Sequence, residues 1–206
     1  MATGGDISSR LEAIVLAGGA GARFGGAKLT APWRGGVLID GALVAAFAAP
    51  VRSVIVVTGA DPRVAGAARA FAAQIGDGPR LRLVHAADHA QGMAASLRAG
   101  IDALPPDAAG AFVFLGDMPA IPPTILQPLA EALAKGAPAA APVFEGRRGH
   151  PVLFGRVLFG DLCALRGDLG ARGTLAKLGE RVAQVESSDP GVVFDVDFKD
   201  APDPPP

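Results

Sequence analysis

Short apolar runs alternate with longer, alanine-rich stretches from residue 13 to residue 143, and this alternation constrains the fold more than any other feature. The candidate strands are Ala13–Leu16, Val54–Val57, Leu81–His85, Ala111–Leu115 and Ala139–Val143. Between them lie Ile39–Ala48, Pro62–Gln74, Gln91–Leu104 and Pro123–Lys135, long enough for helices and poor in β-branched residues. Strand followed by helix, repeated, predicts the α/β class: a Rossmann-like, mainly parallel twisted sheet with helices on both faces. Pro122-Pro123 marks one helix start, and Gly136 follows its last turn.

After Val143 the rhythm changes. The turn "EGRRG" sits between "APVF" and "PVLF" and reads as a hairpin or strand pair. "FGDLCALRGDLGARGTLAKLG" reads as a helix, a glycine-rich elbow and a second helix, and "VVFDVDF" as a late strand. These features form a small β-hairpin and helical insertion in the second half. Without repeats or a linker, the 206 residues read as a single domain. Its core is expected to span about 11–200, and the proline-rich tail 201–206 is expected to be frayed.

Composition narrows the function by exclusion. The net charge is −1, so no electrostatic case for nucleic acid exists. Tyr is absent and Trp occurs once, leaving little surface for stacking bases. No apolar run reaches the roughly 18–20 residues that span a bilayer, and no basic segment leads into an apolar leader. A cytoplasmic protein with no membrane partner is expected. The single cysteine, Cys163, excludes an internal disulfide and reads as core filler.

The chemistry begins at "LAGGAGARFGGAKL", residues 16–29, directly after the first strand. A phosphate-binding P-loop would need Gly-Lys-Ser/Thr, but Lys28 lies between Ala27 and Leu29. A dinucleotide fingerprint fails because Phe24 stands where its third glycine belongs. What remains is a bare-backbone loop in which Gly18–Gly21 can form an anion nest. Arg23 and Lys28 place cations where a triphosphate would lie. A solvated loop with two surface cations is the plain alternative.

Two acidic features weigh against that alternative. "FVFLGDMP" puts Asp117 at the carboxyl end of a strand, the edge where ligands bind in open α/β sheets. A carboxylate facing a phosphate loop suits Mg²⁺, a hard cation that takes oxygen donors. Asp195 and Asp197 close "VVFDVDF", and strand alternation would send both to one face. Asp197, nearer the end, is the better second ligand. His85 and His89 have metal-like spacing but no intervening Glu, and Ser96 lacks the glycines of a nucleophile elbow, so neither a zinc site nor a serine hydrolase is expected.

With these residues in view, the chain resembles the molybdenum cofactor cytidylyltransferases and guanylyltransferases. The glycine loop, "KLTAPWRGGVLID", "HAADHAQGMAASLRAG", "LGDMPAIPP", "RRGHPVLF" and "VVFDVDFKD" carry the resemblance in order across residues 14–200. It implies transfer of CMP from CTP to the terminal phosphate of molybdopterin, with release of pyrophosphate. It also implies that Leu16, Ala17, Gly18, Gly19 and Gly21 cradle the nucleotide with Arg23 and Lys28. Asp88, Gly92 and Ser96 would lie along the base and ribose, and Asp117 and Asp197 would hold Mg²⁺. Arg148, His150 and Arg172 would bind the acceptor, within a cluster that also holds Arg147, Arg166 and Asp168. A molybdoenzyme or its chaperone is the protein partner implied.

The chain departs from the cytidylyl pattern at two points. It reads Ala17-Gly18-Gly19, which looks like the guanylyl members, and it lacks the Thr-Pro the family often carries after its second acid. The other motifs side with CTP. The remaining alternatives are GTP as donor, a sugar phosphate or other small phosphate as acceptor, and a non-catalytic module that delivers cofactor.

Overall fold

The computed structural model describes residues 7–19, 21, 26–168 and 170–196. Its strands are β1 (Leu11–Ala17), β2 (Pro32–Trp33), β3 (Gly36–Val37), β4 (Val54–Thr58), β5 (Leu81–His85), β6 (Gly110–Leu115), β7 (Ala139–Phe144), β8 (Arg147–Arg148), β9 (Val152–Gly155) and β10 (Val182–Glu186). Its α-helices are α1 (Leu38–Ala48), α2 (Arg63–Gln74), α3 (Met93–Asp102), α4 (Leu126–Ala134), α5 (Phe159–Cys163) and α6 (Arg172–Leu178). The main sheet runs in the order β10-β7-β9-β6-β1-β4-β5, with β8 paired to β7, while β2 and β3 form a separate ribbon.

Apolar residues on both faces of each central strand dictate a doubly covered sheet. Ala13, Val15, Val54, Val56, Phe112 and Phe114 point to one face, where α1, α2 and α4 pack. Ile14, Ile55, Val57, Ala111 and Val113 point to the other, under α3, α5 and α6. All pairings among β5, β4, β1 and β6 are parallel, and within the main sheet only β9 and β8 run against the other described strands. The expected fold class therefore holds, with β8 and β9 as the reversed strands of the second half.

The strand order reverses at β1. The chain moves from β1 outward to β4 and β5, then returns to β6 on the other side of β1. This switch leaves a crevice at the carboxyl ends of β1 and β6, the preferred ligand position in open α/β sheets.

Two expectations are corrected. "VVFDVDF" is not a strand in its described part: Pro190–Val193 forms a 3₁₀ turn, and Phe194–Val196 is irregular. The Asp189 carboxylate accepts from Gly191 N at 2.7 Å, and Pro190 and Gly191 begin the turn. The last strand is instead β10, parallel to β7 at the sheet edge. Cys163 is only half-buried, with its thiol 3.5 Å from Asp102 Oδ1, and burial pushes that thiol above its ordinary range.

Away from the crevice, Glu12 is fully buried in β1. It pairs with Arg52 at 2.7 Å and accepts from Ser53 N and Oγ, so the charge is satisfied.

Candidate active site

The ends of β1 and β6 are joined directly: Gly116 N donates to Leu16 O at 3.0 Å. The loop after β1 therefore starts beside the loop that carries Asp117. Gly18 is packed so closely that a Cβ there would lie 2.5 Å from Ser96 Oγ on α3. On its other side, Ala60 N donates to Gly18 O, and Gly59 lies against the Gly18 backbone. These contacts fix the first turn of the loop between α3 and the end of β4.

The loop then returns to deliver Lys28. Gly21 adopts φ 60°, and a Cβ on it would lie 2.8 Å from Lys28 Cβ, so glycine is required by both conformation and space. Gly26 N donates to Gly21 O, and Ala27 at φ 53° precedes the short 3₁₀ turn Lys28–Thr30. Leu29 anchors that turn in the core. Thr30 Oγ1 donates to Asp61 Oδ2 at 2.8 Å, tying the turn to the β4 side. The Arg63 guanidinium, hydrogen-bonded to Asp61, holds that carboxyl below its ordinary range.

Held this way, Lys28 Nζ reaches Asp117 Oδ2 at 2.7 Å. Asp117 is positioned from three directions. Met118 N turns back to Leu115 O, Val196 N donates to Asp117 O at 3.1 Å, and Pro119 packs on Gly41 of α1. The hydrogen bond from Val196 brings the C-terminal segment, with Asp195, beside the Asp117 loop even though no strand forms there.

Next to this pair opens a cavity of about 670 Å³. Leu16, Met118 and Val113 are among its apolar walls, while Arg147, Arg148, Asp168, Arg172 and Asp195 line it with charge. His150 also lines it, carried on a segment clamped by Gly149 N→Pro142 O and His150 N→Val192 O. Its Nδ1 is sealed and has no hydrogen-bond partner among the described residues. Burial lowers the His150 pKa below the ordinary imidazole range; the Val113 backbone and the Asp117 charge oppose that shift, and Arg172 adds to it.

The structure thus brings Leu16, Gly18, Gly21, Lys28, Ser96 and Asp117 to the crevice, and Arg148, His150 and Arg172 to the adjoining cavity. Ala17 ends β1 and Gly19 follows Gly18 in the same loop. Gly92, at φ 106°, starts α3 and packs against Gly167 and Asp168. Asp88 is exposed at the head of the His89–Gln91 turn and does not line the cavity. Arg166 turns to the carbonyls of Cys163 and Leu165 instead. Arg23 and Asp197 lie outside the described residues. The sequence reading missed Gly59, the Thr30–Asp61 bond and Met118; "TGADP" after β4 carried the signal for the first.

A family model described as the MobA-like NTP transferase domain matches residues 13–182. The chain belongs to this family. It is 27% identical to the molybdenum cofactor cytidylyltransferase of Escherichia coli (strain K12) over 145 residues, 70% of each protein. Among solved structures, Rv0371c of Mycobacterium tuberculosis H37Rv aligns with a TM-score of 0.72 at 26% identity, covering 87% of this chain and 89% of that one. Rv0371c is also known in complex with manganese. A nucleotidyl transferase from Methanothermobacter thermautotrophicus aligns with a TM-score of 0.70 at 25% identity, over 92% of each chain. The chain carries its glycine loop and Asp117 on one edge of the mainly parallel sheet.

Among the described residues, no three His, Cys, Asp or Glu side chains gather into a metal site. The carboxylates described beside the crevice are those of Asp117 and Asp195, which offer oxygen donors. That donor set fits a hard cation bound together with a triphosphate. No helix among the described residues is long and apolar enough to cross a membrane.

Proposed function

We propose that this protein is a cytidylyltransferase that transfers CMP from CTP to the terminal phosphate of a molybdopterin-type acceptor and releases pyrophosphate. The observation that carries this reading is the 2.7 Å pair of Lys28 and Asp117 at the switch-point crevice. It opens onto a cavity lined by Arg147, Arg148 and Arg172. A phosphate-bearing acceptor suits such a cavity, because guanidinium groups bind phosphate through paired hydrogen bonds.

An oxygen of the acceptor phosphate attacks the α-phosphorus of CTP, a new P–O bond forms, and the bond to the β-phosphate breaks. The chain's task is to position the two substrates and to neutralise charge, as in other phosphoryl-type transfers. The loop from Leu16 and Ala17 through Gly18, Gly19 and Gly21 presents bare backbone to the triphosphate. Lys28, with Arg23, neutralises the departing pyrophosphate. Gly92 and Ser96 shape the nucleoside side of the crevice. Asp117, with Asp195 or Asp197, would hold Mg²⁺, which would supply positive charge to the phosphates. His150, kept neutral by burial, and Arg148 and Arg172 hold the acceptor.

The packing of Gly18 bears on the choice of base. A Cβ at Gly18 would stand 2.5 Å from Ser96 Oγ, so a larger residue there needs that hydroxyl to turn away. The Ala17-Gly18-Gly19 departure thus lies against α3 and does not choose the base on its own, while the other motifs support CTP. Pyrophosphate release with the molybdenum cofactor and each of CTP, GTP, ATP and UTP tests this, and turnover with CTP is expected. Turnover with GTP alone would assign the base to the first loop, and turnover only with sugar phosphates would reject the acceptor. A protein that binds CTP without turnover would instead be a delivery module.

A further inference from the structure

The bond between Lys28 and Asp117 has a consequence for how metal reaches the site, and this inference rests on the functional reading above. In that reading the lysine serves phosphate and the carboxylate serves a cation. Neither can do so fully while Nζ lies 2.7 Å from Oδ2. The pair is also sheltered, with the lysine side chain 12% exposed and the aspartate 31%. Shelter from solvent strengthens the attraction relative to a pair in open water.

The backbone of Lys28 is held beside Asp117. Its turn is pinned by buried Leu29 and by the Thr30–Asp61 bond, and its Cβ is pressed against Gly21. Release therefore involves the flexible four-carbon stem of the side chain and not the turn. A bare divalent cation approaching Asp117 meets a positive charge already seated on the same carboxylate. A triphosphate changes the balance, because its several negative charges give the ammonium group a stronger partner.

We propose that the Lys28–Asp117 pair is a latch that keeps the cation site closed to metal alone and opens when a nucleoside triphosphate draws the lysine off the carboxylate. Metal and nucleotide then bind with positive coupling, and the coupling factor is the same whichever binds first.

The test is a titration of Mn²⁺ with the full chain and no nucleotide, reading free Mn²⁺ by electron paramagnetic resonance. Wild-type protein and Lys28→Arg, which keeps the charge, should bind Mn²⁺ weakly. Lys28→Met should bind it about tenfold more tightly or better, within the usual range of such couplings. Adding Asp117→Asn to Lys28→Met should abolish the gain, which assigns it to this carboxylate. The latch is overturned if Lys28→Met binds Mn²⁺ no more tightly than wild type, or if the gain survives in the double variant. Thermal melts establish that the variants are folded; should Lys28→Met fail to fold, Lys28→Gln is judged by the same criterion. The readout uses neither acceptor nor turnover. An inactive protein with the expected Mn²⁺ behaviour therefore rejects cytidylyl transfer and keeps the latch. An active protein whose wild-type form takes Mn²⁺ alone as tightly as Lys28→Met does the reverse.

Discussion

Lys28 and Asp117 stand 89 positions apart in the chain and 2.7 Å apart in the fold. Their meeting depends on β1 and β6 being neighbours and on two separate loops each being pinned from several sides. Asp117→Asn keeps the shape of the side chain and removes its charge. Transfer should fall by about 10²–10³-fold, the loss typical of removing one well-placed electrostatic group. Stability should change by no more than about 1 kcal/mol, as for partly exposed ion pairs. Pyrophosphate release and a thermal melt on one preparation check both. Equal losses of activity and folded protein would mean that the residue is structural.

His150 makes the stability depend on pH in a defined direction. Its folded-state pKa is lowered, chiefly by burial. As pH falls below about 6.5 the unfolded imidazole takes up a proton that the folded one resists. The unfolded state then binds more protons, so stability falls with pH, and above about 6.5 the effect vanishes. Between about pH 6.5 and 5 the melting temperature of the wild type should fall more steeply than that of His150→Gln. Parallel slopes would contradict the burial argument.

Glu12 supplies a control far from the chemistry. Glu12→Ala removes a fully buried carboxylate and strips Ser53 N and Oγ of their acceptor. Arg52 keeps Asp107, so the cost should be about 3 kcal/mol, the low end for breaking a buried pair. Urea unfolding measures it, and turnover per folded molecule should be unchanged.

Much of the fold was legible because the interior strands are short apolar runs bounded by turns. Leu81–His85 was placed to the residue, and β1, β4, β6 and β7 to within two residues at either end. β10 was missed because "VAQVE" is an edge strand with only Val182 buried. "VVFDVDF" misled for the opposite reason: its β-branched residues imitate a strand, while Pro190 and Gly191 and the Asp189 cap bend the backbone. At the site, the glycine loop and Asp117 could be read from their positions after strands. The ion pair joining them could not, since it depends on the path of Ala27 and on Leu29 reaching the core. Nor could the grip of Val192 on His150, which arises from two segments 42 positions apart.

Two glycine substitutions should separate packing from chain entropy. A Cβ at Gly41 would stand 2.6 Å from Pro119 Cα, so Gly41→Ala should cost about 1–3 kcal/mol and lower turnover by displacing the Asp117 loop. Gly66, in α2, has open space around it. There the same change should stabilise by about 0.5–1 kcal/mol and leave turnover alone. Calorimetry and pyrophosphate release on both variants check the contrast, and an unaffected Gly41→Ala would remove the packing argument for how Asp117 is held.

The most direct measurement is mass spectrometry of the product formed from CTP, Mg²⁺ and the molybdenum cofactor, with pyrophosphate quantified in the same reaction. A cytidine dinucleotide form of the cofactor is expected, with one pyrophosphate per product and both lowered by about 10²–10³-fold with Asp117→Asn. An unmodified cofactor beside intact CTP, or CTP consumed to CMP with no adduct, would contradict it.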